Sequence, residues 1–264
     1  MQTTATRVLV IEDSGAMRAL LCSILRHGGY DVVGELSSGA DFAATVARLK
    51  PDLVCLDQQL PDVDGLTLLR AVRSSHPCIS VVMITGSDDP IIHGSAVADG
   101  VAGFIKKPFT EAKILAELRQ VDHARKLLKH SAGVRRQEST GQVVVVADDS
   151  STMRELLSSI LERMGLVVMG TACDGIEAVE LTEQIRPDVL CLDLEMPHMG
   201  GFEALKRIRK SQPDLCVVIC TSHADRGTVR EAVTHGASGY ILKPFQPEQV
   251  EATMRRLLNV AAVA

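Results

Sequence analysis

Four polar residues recur in this chain at one constant spacing. Each member of the set in the first half has a counterpart 136 positions later (149 − 13, for example), and the pairs are Asp13/Asp149, Asp57/Asp193, Thr85/Thr221 and Lys107/Lys243. A second acid precedes the first member of each set, so the acidic pairs are Glu12-Asp13 and Asp148-Asp149. A repeat of this length is a whole domain, which indicates that the chain arose by duplication.

The residue types in each set suit phosphoryl transfer. Carboxylates that lie close together raise one another's pKa unless a cation lies between them. Oxygen ligands in this number favour Mg2+, which keeps some of its waters and binds phosphate oxygens. With the metal bound, an aspartate can act as a nucleophile on phosphorus, while a lysine ammonium and a threonine hydroxyl stabilise the developing charge.

Short apolar runs alternate with amphipathic segments and would place these residues at one edge of a sheet. In the second half the predicted strands are Val143–Ala147, Val167–Thr171, Val189–Asp193, Cys216–Thr221 and Gly239–Ile241. Between the first two, Met153 to Met164 has helical spacing, with Ser150 as its N-cap and Gly165 as its stop. Five alternating strands and helices predict a doubly wound parallel sheet with right-handed crossovers, whose site lies beyond the carboxyl ends of the strands.

We expect two domains, at residues 5–130 and 143–264. The segment between them, residues 131–142, is polar and lacks apolar periodicity, so it is interpreted as a linker. An unusually long helix, Thr110 to His130, is predicted to end the first domain. The short linker also allows the two domains to pair with each other.

Composition excludes several classes of protein. The net charge of -5 and the pI of about 5.9 argue against a general nucleic-acid or anionic-membrane binder. No apolar stretch approaches membrane-spanning length, and the N-terminus lacks the pattern of a signal peptide. The seven cysteines form no CxxC or zinc-binding spacing, which favours reduced thiols in a cytoplasmic protein.

The motifs in both halves resemble the receiver domains of bacterial two-component signalling, the chemotaxis-response-regulator-like family. The resemblance rests on both acidic pairs, on Cys55-Leu56-Asp57 and Cys191-Leu192-Asp193 with a proline four residues after each Asp, and on Lys-Pro-Phe at 107–109 and 243–245. It implies two flavodoxin-like (βα)5 domains in tandem.

The resemblance also implies a role for each residue of the motif. Asp57 and Asp193 would accept the phosphoryl group from a histidine kinase, a phosphotransfer protein or a small acyl phosphate. Mg2+ would be held by the acidic pairs, the two acceptor aspartates and the main-chain carbonyls of Gln59 and Glu195. Lys107 and Lys243, each followed by a cis proline, would contact the phosphoryl group. Thr85 and Thr221 would move to bind a phosphoryl oxygen. Phe104 and Tyr240 would be the aromatic residues that swing inward after the threonines.

The two halves differ at positions that, in the family they resemble, affect the lifetime of the phosphoryl group. Gly86 follows the first threonine whereas Ser222 follows the second, and Gln59 stands where the second half has Glu195. We therefore predict different phosphoryl lifetimes for the two domains. The first loop, Gln58-Gln59-Leu60, also departs more from the family pattern than the second does.

The sequence favours a tandem receiver that signals through a downstream protein, and it also allows other functions. One receiver could be a phosphate sink or an unphosphorylated interaction module. A phosphatase with an aspartate nucleophile, similar to the haloacid-dehalogenase family, would carry a DxD motif after the first strand, where this chain has acidic pairs. About twenty residues follow Lys243, enough for one helix, so no DNA-binding or enzymatic output domain is expected there.

Overall fold

The computed structural model describes residues 5–87, 89–131, 141–222 and 226–258. The chain divides into two compact units between His123 and Ala124. Most of the predicted linker, at residues 132–140, lies outside the described residues. Among those that are described, no helix combines the length and the apolar character needed to cross a bilayer.

The first unit is a five-stranded parallel sheet whose strands alternate with helices along the chain. Its strands are β1 Arg7–Ile11, β2 Asp31–Leu36, β3 Leu53–Asp57, β4 Ser80–Thr85 and β5 Gly103–Lys106. The helices that follow them are α1 Gly15–His27, α2 Phe42–Leu49, α3 Gly65–Ser75, α4 Pro90–Ala98 and α5 Glu111–Ser131, whose residues from Ala124 onwards belong to the second unit. The order across the sheet is β2-β1-β3-β4-β5. The direction in which successive strands are added reverses between β1 and β3, which is the topological switch point of the sheet.

The second unit repeats this topology. Its strands are β6 Val143–Ala147, β7 Val167–Ala172, β8 Val189–Asp193, β9 Cys216–Thr221 and β10 Gly239–Leu242. Its helices are α6 Ser151–Arg163, α7 Gly175–Ile185, α8 Gly201–Ser211, α9 Arg226–Thr234 and α10 Pro247–Leu258. All strand pairs are parallel and the order is β7-β6-β8-β9-β10. The predicted fold class is confirmed in both units.

Both faces of the second sheet are buried, which explains its nearly continuous apolar strands. Val144 and Val146 of β6 pack in one core cluster with residues of α6 and α10. Val145 and Ala147, which point to the opposite face, pack in another cluster with residues of α7 and α8. Helices on both faces leave the strand ends as the places where polar side chains reach the surface.

Local signals account for the helix boundaries next to the site. Ser150 accepts a hydrogen bond from the backbone N–H of Met153 at 3.4 Å, which confirms the predicted N-cap of α6. Gly165 follows the helix with a φ of +84°, a left-handed conformation that favours glycine. The predicted long helix is also present as α5, and Ala124 within it belongs to the core of the second unit.

Candidate functional site

The carboxyl ends of the strands in the first unit bring the repeated polar residues together. Glu12 follows β1, Asp57 ends β3 and Lys107 follows β5. Nζ of Lys107 lies 2.9 Å from Oε2 of Glu12 and 3.0 Å from Oδ2 of Asp57. The lysine ammonium therefore bridges two carboxylates that come from neighbouring strands of the sheet.

A third carboxylate completes an acidic cluster beside this lysine. Oxygens of Glu12, Asp13 and Asp57 lie within 4.8 Å of one another. Glu12 and Asp57 are buried, whereas Asp13 is exposed, so the cluster opens to solvent on one side. A cavity of about 430 Å³ lies over it and is also lined by Gln59 and Ser87. This volume is sufficient for a phosphoryl group and its hydrating waters.

The second unit builds the same site in a more enclosed form. Nζ of Lys243 lies 2.7 Å from Oδ2 of Asp148 and 2.7 Å from Oδ2 of Asp193. Oxygens of Asp148, Asp149 and Asp193 again lie within 4.8 Å of one another. The Lys243 side chain is 6% exposed, compared with 23% for Lys107. Solvent therefore screens the second ion-pair network less than the first.

Burial and mutual repulsion act on the ionisable groups of the first cluster. Burial raises the pKa of Glu12, and the nearby charge of Asp57 raises it further, whereas Lys107 lowers it. Burial alone would lower the pKa of Lys107, but its hydrogen bonds to Glu12 and Asp57 raise that pKa above its ordinary value. The lysine is therefore held as an ammonium by the two carboxylates.

The second cluster shows the same electrostatic pattern. Burial raises the pKa of Asp193 to about 7, and the charge of Asp148 adds to the effect, whereas Lys243 opposes it. Burial alone would lower the pKa of Lys243, but the three carboxylates raise it well above its ordinary value. Each cluster thus carries more negative charge than one lysine neutralises. The surplus charge and the all-oxygen donor set fit Mg2+.

An arginine in each unit holds the backbone of the acidic pair. Arg18 donates from Nη1 to the carbonyl oxygens of Glu12 at 2.6 Å and Asp13 at 3.3 Å. Arg154 makes the equivalent bonds to the second acidic pair at 2.6 and 3.1 Å. Neither residue was predicted from the sequence, although their separation is the same 136 positions (154 − 18) that relates the other members of the two sets.

A glycine allows the helix after each acceptor loop to approach the acceptor strand. A Cβ built at Gly65 would lie 2.6 Å from the carbonyl oxygen of Asp57, and one built at Gly201 would lie 2.0 Å from that of Asp193. Gly65 also donates its backbone N–H to the carbonyl of Gln58 at 2.9 Å. Side chains larger than hydrogen would therefore displace the loop that carries the acceptor aspartate.

The remaining predicted residues lie at the same edges. Thr85 and Thr221 are buried at the ends of β4 and β9. Both lysines of the site precede a proline through a cis peptide bond, as predicted. Gln59 and Glu195 are exposed in the acceptor loops, and the binding of Mg2+ by their carbonyls stays a prediction.

The two aromatics at the switching position differ. Phe104 is half-buried and stacks on the ring of His93, with 3.8 Å between ring centroids and 20° between ring planes. Tyr240, its counterpart, is 44% exposed. The two units therefore hold this residue in different surroundings.

The polar hydroxyl of Thr85 has a partner that the sequence analysis did not identify. It donates a hydrogen bond to Oε1 of Gln58, the residue directly after the acceptor aspartate. The hydroxyl oxygen also accepts a bond from the backbone N–H of Ser87 at 3.0 Å. In the sequence, Gln58 stands out only as a departure from the family pattern.

Comparison with known proteins identifies the family. The profile of the family described as "Response regulator receiver domain" matches residues 8–119 and 144–255. The chain therefore belongs to the receiver-domain family and contains two receiver domains in tandem. Since two receiver domains mark a response regulator, the predicted membership of two-component signalling is confirmed.

Several relatives match a stretch of about the length of one receiver. The chain is 36% identical over 117 residues to a chemotaxis protein CheY of Thermotoga maritima, which covers 44% of this chain and 98% of the relative. It is 41% identical over 118 residues to a protein-glutamate methylesterase/protein-glutamine glutaminase of Myxococcus xanthus, covering 43% of this chain and 33% of that protein. The solved response regulator domain of Thermotoga maritima CheB is 36% identical, covers 46% of this chain and 99% of its own, and gives a TM-score of 0.42.

Proposed function

We propose that both receivers accept a phosphoryl group, the first on Asp57 and the second on Asp193. The phosphodonor would be a histidine kinase or a phosphotransfer protein. The observation that carries the proposal is the lysine ammonium that lies within 3.0 Å of the acceptor carboxylate in each unit, beside an acidic cluster. This arrangement supports acceptance of a phosphoryl group in both domains.

The proposed reaction transfers one phosphoryl group to a carboxylate oxygen. That oxygen forms a bond to phosphorus, the P–N bond of the donor phosphohistidine breaks, and its electron pair stays on the imidazole nitrogen. Lys107 or Lys243 stabilises the negative charge on the phosphoryl oxygens, and Thr85 or Thr221 donates its hydroxyl hydrogen to one of them. The product is an aspartyl phosphate.

Mg2+ would be held by the acidic pair and the acceptor aspartate of each domain, together with the carbonyl of Gln59 or Glu195. When bound, it supplies positive charge that offsets the carboxylates and the incoming phosphate oxygens. The exposed carboxylate of Asp13 lies on the open side of the first cluster, where a hydrated cation could enter. Arg18 supports this role because it orients the backbone of both acids.

The signal would pass to a downstream protein through contacts of the receiver surfaces. The chemistry proposed for this chain is limited to its own phosphorylation and dephosphorylation, without a separate enzymatic output. The phosphatase alternative is disfavoured because Asp57 and Asp193 end the third strand of their sheets, not the first. A cytoplasmic location is proposed because all seven cysteines are free thiols.

Intact-mass spectrometry after treatment with acetyl phosphate tests the proposal. Two added phosphates are expected on the unmodified chain with Mg2+ and none after chelation. Asp57→Ala and Asp193→Ala should each lose one phosphate. Asp31→Ala is the matched control, because Asp31 is an exposed aspartate on β2 outside the acidic cluster. The proposal would be refuted if the unmodified chain gained no phosphate. It would also be refuted if Asp57→Ala or Asp193→Ala gained as many phosphates as the unmodified chain.

A further inference from the structure

The hydrogen bond between Thr85 and Gln58 occupies the hydrogen that the phosphorylated state needs. A threonine hydroxyl has one hydrogen to donate. In this structure that hydrogen is directed to Oε1 of Gln58, and Ser87 N–H bonds the hydroxyl oxygen from another side. Donation to a phosphoryl oxygen on Asp57 therefore requires Thr85 to leave Gln58.

Leaving Gln58 is unfavourable because its side chain is buried. Gln58 is 5% exposed and Thr85 is 8% exposed, so water has little access to the amide oxygen once the hydroxyl has turned away. A buried acceptor that loses its donor retains the desolvation penalty without the compensating bond. The bond thus favours the arrangement in which the Thr85 hydroxyl donates to Gln58.

The second receiver has no side-chain acceptor at the position of Gln58. Leu194 occupies the position of Gln58, directly after the acceptor Asp193, and its side chain has no acceptor atom. Leu194 packs against the apolar cluster of its own unit. Gln58 in the first site and Leu194 in the second therefore distinguish two sites that both contain a lysine, an acidic cluster and a threonine.

We propose that Gln58 is a positioning residue that holds the Thr85 hydroxyl and opposes the switched arrangement of the phosphorylated first receiver. The inference rests on the proposed function, since it presupposes a phosphoryl group on Asp57.

Beryllium trifluoride, a phosphoryl mimic, provides the test on the full-length chain. The Asp193→Ala background leaves only the first receiver able to bind it with Mg2+, and 19F NMR reports the bound fraction. Gln58→Met keeps the length of the side chain but removes the acceptor oxygen. This variant should bind the mimic about 3- to 10-fold more tightly, the range expected when one hydrogen bond no longer has to break. An unchanged or weaker affinity would overturn the inference.

A double-mutant cycle with Thr85→Val separates hydrogen bonding from packing. Valine has no hydroxyl, so Gln58→Met should give no gain in affinity when Thr85→Val is also present. A gain that persists in that background would show that Gln58 acts through packing, which contradicts the inference. Direct titration with Mg2+ alone should give the same affinity with and without Gln58→Met, because the metal needs no rearrangement of Thr85.

Phosphate uptake distinguishes failure of this inference from failure of the proposed function. If the unmodified chain takes up no phosphate on Asp57, the proposed function fails and the inference fails with it. If Asp57 is phosphorylated but Gln58→Met does not tighten binding of the mimic, only the role assigned to Gln58 is wrong.

Discussion

Nζ of Lys243 lies 2.7 Å from Oδ2 of Asp193, and the lysine side chain is 6% exposed. The corresponding distance between Lys107 and Asp57 is 3.0 Å, at a lysine that is 23% exposed. The same ion pair thus lies in a drier environment in the second receiver. A buried pair is sensitive to the loss of one partner, because the remaining charge is left without compensation.

Lys243→Ala should destabilise the second receiver strongly when no Mg2+ is present. Two buried carboxylates lose their shared cation, and removing one partner of a buried pair costs about 3–5 kcal/mol. Saturating Mg2+ should recover part of the loss, since the metal supplies positive charge to the same oxygens. Thermal unfolding in EDTA and in Mg2+ measures both effects. Lys206→Ala, at an exposed lysine on α8 of the same receiver, is the control, and an equal loss in the two buffers would contradict the prediction.

Arg18→Ala should weaken Mg2+ binding by the first receiver about tenfold, the lower end of the effects found for residues that orient metal ligands. The guanidinium holds both carbonyls of the first acidic pair, so its loss leaves that backbone less ordered. Isothermal titration with Mg2+ measures the effect, and Arg154→Ala should do the same to the second receiver. Arg26→Ala is the control, because Arg26 pairs with Glu35. Equal Mg2+ affinities for Arg18→Ala and Arg26→Ala would exclude the role.

Gly201→Ala should destabilise the second receiver by about 1–3 kcal/mol, the usual range for overpacking. The new Cβ would lie 2.0 Å from the carbonyl oxygen of Asp193, so the acceptor loop must shift. Phosphate uptake on Asp193 should fall as well, and denaturant unfolding with intact-mass analysis measures both. Gly15→Ala is the matched control, since its Cβ would meet only Nη2 of Arg18 at 3.8 Å. A variant at Gly201 as stable as this control would count against the close approach.

The two aspartyl phosphates should decay at different rates. Gln59 and Glu195 lie two residues past their acceptors, and Gly86 and Ser222 follow the two threonines, so the groups that meet an attacking water differ. Loss of phosphate over time, followed by mass in the Asp57→Ala and Asp193→Ala chains, gives each rate. Gln59→Glu should move the first rate towards the second. Equal rates in the two chains would refute the prediction.

Much of the fold and the site could be predicted from the sequence. Strand periodicity and the 136-residue repeat predicted a parallel, doubly wound sheet in both units, and β6, β8 and β9 begin and end where expected. The ends of parallel strands meet at one edge, so residues such as Asp193 and Lys243 could be assigned to one site without a structure. Helix capping by Ser150 was equally predictable, because it depends on neighbouring residues only.

The tertiary structure decided what depends on side-chain orientation and on burial. No pattern in the sequence indicates that the Thr85 hydroxyl bonds Gln58, or that Phe104 stacks on His93 while Tyr240 is exposed. These contacts join residues from different elements, and they form only where rotamers and backbone positions bring particular atoms within bonding distance. The duplication by itself determined that both sites carry a lysine, a threonine and three carboxylates. Packing decided how tightly each group is held. The free-energy cost of separating a polar atom from its hydrogen-bond partner is larger where the surrounding residues exclude water.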